Sequence, residues 1–184
     1  MINFGLKNLI LPITGTSIVA LSSIIAPIVN SQFVPNYEQI YNCAIDQFLE
    51  ICKIPHITNP EDVEWTPQND TLKGIRQHFV DVVNGTLGDN TVQTDYDGNI
   101  WWDIPATKGY EDRPTIGLQG HMDMVWSAQG EALEWDGFTH PISQPVFDIV
   151  DGHRVIHSKD WLTSLGSDDG QGLGLILALT LKRD

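Results

Sequence analysis

Apolar side chains recur at helical spacing at Ile40, Ala44, Phe48 and Cys52, until Pro55 stops the run. Asn36 with Gln39 three residues later is a capping-box signature that would open this helix. A loop rich in Pro, Asn, Asp and Glu follows to about Asp70, and a second helix is expected from Thr71. Its apolar face is Ile75, Phe79, Val82 and Val83, and it ends near Gly85 or Gly88. The period then shortens. Thr91 to Asp95 and Asn99 to Ile104 flank Asp97-Gly98, and Val146 to Val150 and Arg154 to His157 flank Asp151-Gly152, which predicts two hairpins. Trp101 and Trp102, adjacent on one strand, should face opposite sides of the sheet. Thr115 to Gln119 has the pattern of a fully buried central strand. An apolar helix over Gly172 to Leu181 closes the pattern, with Lys182 and Arg183 complementing its C-terminal dipole.

Helices before, between and after strands predict an α/β layered domain over residues 35–184. Residues 1–31 stand apart: Lys7 is the last charge before Glu38, and Leu9 to Val29 is almost wholly apolar or small. About 21 such residues would span a bilayer, and Val29-Asn30-Ser31 suits a signal-peptidase site. Pro12, Gly15 and Pro27 weaken one unbroken membrane helix. The segment is therefore expected to be a signal peptide or membrane anchor, making the protein exported or tethered, and cytoplasmic only if the leader does not function.

With 41% hydrophobic and 18% charged residues, the composition is that of a globular chain. A formal net charge of −14 excludes phosphate-backbone partners such as nucleic acid, and disfavours electrostatic docking on anionic lipid. Membrane contact is thus expected only through the N-terminal segment. Cys43 and Cys52, the two cysteines, form neither a disulfide framework nor a zinc-finger pattern and should be buried as small apolar side chains.

The chemistry concentrates in two strings. Gly120-His121-Met122-Asp123-Met124-Val125 follows the apolar run Ile116-Gly117-Leu118. An imidazole binds a metal best when its far nitrogen donates to a carboxylate, and Asp123, two residues on, can point the same way as His121. Leu165-Gly166-Ser167-Asp168-Asp169-Gly170 places an acidic pair in a glycine-rich turn before a helix. Asp168 could bridge two metals about 3.5–4 Å apart, whereas Asp169 is balanced between capping the helix and supporting the site. His56, His78, His140, His153 and His157 lack spacing partners and are assigned to surface or hydrogen-bonded structure. Trp126 is a candidate cleft residue; Trp101 and Trp102 are assigned to packing.

Leu118-Gln119-Gly120-His121-Met122-Asp123-Met124-Val125 and Leu165-Gly166-Ser167-Asp168-Asp169-Gly170-Gln171-Gly172 closely resemble the bacterial aminoacyl-histidine (Xaa-His) dipeptidases. These are non-specific dipeptidases within the aminoacylase- and carboxypeptidase-like dizinc metallopeptidases. Phe48-Leu49-Glu50-Ile51-Cys52-Lys53-Ile54-Pro55, Asp97-Gly98-Asn99 and Pro105-Ala106-Thr107-Lys108-Gly109 extend the resemblance, which runs from about Tyr41 to the last residue.

The resemblance implies the N-terminal part of a three-layer α/β zinc-peptidase catalytic domain with a mixed sheet, truncated before the lid domain. It implies that His121 and Asp168 bind metal, Asp168 bridging two zinc ions, while Asp123 orients His121; manganese or cobalt is compatible with such a site. A hydroxide shared by the metals would attack the peptide carbonyl of a short peptide substrate, including Xaa-His dipeptides. Full-length relatives form homodimers through the lid. Three departures stand out: Asp169 replaces the family's Asn, the apolar leader is foreign to cytoplasmic relatives, and the family's downstream Glu-Glu pair and C-terminal histidine have no counterpart before Asp184. The chain alone is therefore expected to be inactive and marginally stable. The alternatives are an N-acyl amino acid deacylase of the same superfamily and a truncated, non-catalytic metal- or peptide-binding relative. A third treats the leader as primary, in a membrane-anchored structural protein.

Overall fold

The computed structural model describes residues 37–58, 70–135 and 144–182. The leader at 1–31, Asn36 of the capping box, His140 and Arg183 lie outside the described residues. Three helices of 15 residues carry the architecture: α1 (Tyr37–Ile51), α2 (Lys73–Leu87) and α3 (Ser167–Leu181). Two small antiparallel sheets complete it, one of β1 (Gln93–Thr94) and β2 (Ile100–Trp101), the other of β3 (Pro145–Val150) and β4 (His153–Ser158). Short 3-10 turns occupy Gly130–Glu134 and Lys159–Trp161.

Helix α3 lies against α1 because its glycines allow it to. Gly170 and Gly174, four apart, share one face. A Cβ on Gly174 would stand 2.7 Å from the Ala44 carbonyl oxygen, and one on Gly170 would stand 3.2 Å from the Phe48 ring. Ile51, Ile75, Phe79, Val83, Leu173 and Leu177 fill the space among the three helices. Trp102 leans over this core against Phe79, with ring centroids 6.1 Å apart, and its Nε1 donates to Thr180 Oγ1 at 3.1 Å. Trp101 is exposed, so the two indoles do take opposite faces.

Helix α2 starts two residues later than its pattern suggests. Asp70 sets the start: its carboxylate accepts the Leu72 N–H at 3.0 Å and pairs with Arg76. The β3–β4 hairpin turns at Asp151-Gly152, both with positive φ (50° and 80°), the conformation a tight two-residue hairpin requires. The first hairpin is shorter than expected. Asp95 captures Asn99 through the backbone N–H (2.8 Å) and the side-chain amide (2.9 Å), so side chains hold the turn and the ladder is brief.

Thr115–Gln119 departs from the expectation of a buried central strand. It pairs with no strand among the described residues, and Ile116 and Leu118 are 62% and 58% exposed. An apolar run specifies that side chains favour burial, whereas a central strand also needs neighbours on both edges. The mixed sheet is likewise not seen among the described residues; helices with small antiparallel sheets are compatible with an α/β class without defining three layers.

Both cysteines are buried free thiols, as the composition suggested. Burial pushes the Cys52 thiol up to about 12, only partly offset by a backbone hydrogen bond. The thiol stays protonated in the fold while the unfolded chain ionises near the ordinary thiol value of 9.0. Stability should therefore hold below pH 9 and fall as pH rises from there towards about 12. A Cys52→Ala variant should lose that part of the alkaline slope in urea titrations, and an unchanged slope would refute the assignment. A second expectation concerns the helix contact. Gly174→Ala gains about 1 kcal/mol of helix propensity but must displace backbone, a clash costing typically about 1–3 kcal/mol. A lowered urea midpoint is expected; a raised one would show the helices part freely.

Candidate functional site

Met124 organises the loop that carries the candidate chemistry. It is 1% exposed and packs with Phe48, Cys52, Ile57 and Leu165. Its N–H donates to His56 O and its carbonyl accepts Thr58 N–H, each at 3.0 Å, so the loop lies parallel to residues 56–58. On its other side the turn ahead of α3 is tied in. Ser164 N–H donates to Ser127 O at 2.8 Å, Ser164 Oγ donates to Val125 O at 3.1 Å, and Cys52 Sγ donates to Leu165 O at 3.3 Å.

Gly166 enters that turn in the left-handed region (φ 66°, ψ 31°). A Cβ there would stand 2.9 Å from Met124 Sδ and 3.0 Å from His56 Nε2. Asp168 and Asp169 then have non-helical backbone before the regular part of α3, so their side chains diverge. Asp168 is 81% exposed and directed at His121. Asp169 is half-buried, its carboxylate held between Gly120 and Gly172, where an added Cβ would meet it at 2.6 and 2.3 Å.

The structure brings His121, Asp123 and Asp168 together across 47 residues of sequence. His121 Nε2 is 3.0 Å from Asp168 Oδ1. Its Nδ1 faces the Asp123 carbonyl oxygen at 2.9 Å and Asp123 Oδ1 at 3.2 Å. Burial pulls the His121 pKa down, but hydrogen bonds to Asp168 and Asp123, with the Asp123 charge, more than compensate and hold it above its ordinary value. Burial likewise opposes ionisation of Asp123, yet the Thr58 hydroxyl and His121 keep its pKa below normal. Asp169 differs. Burial raises its pKa despite the His121 charge and the backbone N–H groups of Gly172 and His121 that it accepts. Asp169 thus sits between the His121 backbone and the first turn of α3.

The remaining described histidines stay apart from this cluster. His56 is buried, with Nδ1 donating to Ile54 O at 2.5 Å. Half-buried His78 meets Phe79 edge-on, and its Nε2 lacks a hydrogen-bond partner. His153 is exposed at the start of β4, and His157 stacks on Trp161 with centroids 4.0 Å apart. Trp126 packs against the Met124 cluster. Thr58 was missed from sequence. Its Oγ1 donates to Asp123 Oδ2 at 2.7 Å from 65 residues upstream. The resembling string Phe48 to Pro55 ends three positions short of it, and an isolated threonine in a polar loop carries no spacing signal.

The donor chemistry fits part of a metal centre. Two ligands each about 2 Å from a tetrahedral zinc stand roughly 3.3 Å apart, close to the His121–Asp168 separation of 3.0 Å. Among the described residues no group of three or more His, Cys, Asp or Glu side chains converges to hold a metal ion. Likeness of sequence supports a dipeptidase-like family. The chain is 31% identical over 140 residues to the cytosol non-specific dipeptidase of Escherichia coli (strain K12). That stretch covers 73% of this chain but only 23% of the relative, so the chain spans under a quarter of the relative's length. No family model matches the chain, and no solved structure matches it.

The expectation of export or membrane tethering is corrected. The relative is by its name a cytosolic enzyme, and among the described residues no helix is long and apolar enough to cross a membrane. Apolarity of a run specifies that it leaves water, not which apolar environment receives it.

Gly166→Ala should lower stability by about 2 kcal/mol, combining the left-handed conformation, about 1–2 kcal/mol, with contacts on Met124 and His56. Urea unfolding of the two proteins measures this, and equal midpoints would show that the turn tolerates a side chain.

Proposed function

We propose that this chain supplies two ligands, His121 and Asp168, of a dizinc centre in an enzyme that hydrolyses dipeptides. The observation that carries the reading is the approach of His121 Nε2 to Asp168 Oδ1 at 3.0 Å, with Asp123 at the opposite ring nitrogen. Likeness to a non-specific dipeptidase supports the substrate class.

Divalent metal bound at such a centre supplies Lewis acidity and lowers the pKa of water. The residues of this chain prepare for it. The Asp123 carbonyl oxygen and Oδ1 accept Nδ1–H of His121, an arrangement that would leave Nε2 to bind metal in place of its hydrogen bond to Asp168. Asp168 is exposed and has two oxygens, the requirement for a bridging carboxylate. Asp169, facing the backbone N–H groups of His121 and Gly172, lies between the two loops that carry the ligands. The general base and the other ligands belong to side chains outside this set. Neither an N-acyl amino acid deacylase nor a non-catalytic relative gains a supporting observation of its own.

In an active enzyme containing this chain, Asp123→Asn should reduce zinc-dependent dipeptide cleavage by the roughly 10–100-fold typical of losing an orienting partner. His121→Ala and Asp168→Ala should cost more than that, with far-ultraviolet circular dichroism unchanged. Retained cleavage in His121→Ala would refute the ligand assignment.

A further inference from the structure

We propose that Thr58 is a positioning residue that holds Asp123, and through it the His121 ring, in register for metal binding. The inference rests on the metal-centre reading above and extends it to a segment distant in sequence from both motifs.

Three observations converge on residues 56–58. The segment is fixed in place, because its backbone pairs with Met124 through His56 O and Thr58 N, both at 3.0 Å. It touches the other half of the site, because the buried His56 ring closes on Gly166 at the turn leading to Asp168. It also ends in a hydroxyl aimed at the acid beside His121. Thr58 Oγ1 lies 2.7 Å from Asp123 Oδ2 and 3.2 Å from Met124 O. A hydroxyl has one proton to give, and the closer, charged acceptor takes it. The outcome is a relay in which Asp123 accepts at both ends, from the Thr58 hydroxyl at Oδ2 and from His121 Nδ1–H at Oδ1 (3.2 Å), beside the 2.9 Å contact of Nδ1 with the Asp123 carbonyl oxygen.

The chemistry explains why a hydroxyl matters there. A carboxylate two residues from its imidazole can rotate about χ2 and present either oxygen, or neither, to the ring. Engaging Oδ2 from the far side stops that rotation and leaves Oδ1 for His121. A strand end needing only a β-branched side chain would be served equally by valine. The hydroxyl is what valine lacks.

The test uses Thr58→Val, which keeps shape and removes the donor, and Thr58→Ser, which keeps the donor, with His121→Ala as reference. Zinc affinity is measured by chelator competition. The 15N shifts of the His121 ring are recorded without metal at alkaline pH, where the ring is neutral. One step beyond an orienting partner, whose loss typically costs 10–100-fold, Thr58→Val should weaken zinc roughly 3–10-fold. It should also move the ring nitrogens towards a mixture of tautomers, while Thr58→Ser stays near wild type in both. Wild-type zinc affinity in Thr58→Val beside a weakened His121→Ala would overturn the Thr58 role and leave the metal reading standing. Failure of serine to restore the wild-type values would assign the effect to methyl packing and overturn it as well. If wild type and His121→Ala hold zinc equally, the metal reading fails, and the ring shifts alone decide: unmoved in Thr58→Val, they overturn the relay.

Discussion

Removal of Met124 from water is the event on which the site depends. The thioether sits in a cluster built by α1 and the segments around Ile57 and Leu165. To place it there, the loop must run beside His56–Thr58 and bring its sulfur against Gly166. His121 lies three residues before Met124 and Asp168 two residues after Gly166, so burying one apolar side chain fixes where two polar ones emerge. Full burial of a methionine contributes roughly 1.5–3 kcal/mol. That exceeds the net value of about 0.5–1.5 kcal/mol for a typical hydrogen bond. Packing sets the position of the site, and the hydrogen bonds refine orientation within it.

Two neighbouring aspartates in one turn have different electrostatic roles for a geometric reason. Asp168 faces solvent and the His121 ring, and Asp169 is drawn inward, where burial resists its charge. The inward acid has backbone N–H donors at a helix start, the environment that best tolerates a buried carboxylate. Exposure leaves the other free to accept a cation. The divergence comes from non-helical backbone at both residues before the regular part of α3.

Much of this was legible along the chain. The three helices followed from apolar spacing, and both hairpins from Asp-Gly pairs, because those signals are local. Local spacing also placed Asp123 beside His121. The encounter of His121 with Asp168 was expected from resemblance, since spacing cannot bring together residues separated by 47 positions. Thr115–Gln119 was misjudged because a strand's burial depends on partners that its own residues do not encode. Thr58 went unseen for the same reason, its single relevant contact being 65 residues away. Asp169 was balanced between two roles because the glycines that admit it, Gly120 and Gly172, reveal their purpose only in three dimensions.

That glycine cradle constrains how the protein can change over generations. The carboxylate of Asp169 occupies volume that any larger residue at position 120 or 172 would claim. A methyl at either place must displace the acid, and at position 120 it would also press on Leu173, 3.0 Å from the added Cβ. Positions 120, 169 and 172 therefore share one volume, so a side chain that fits at any of them depends on what stands at the other two.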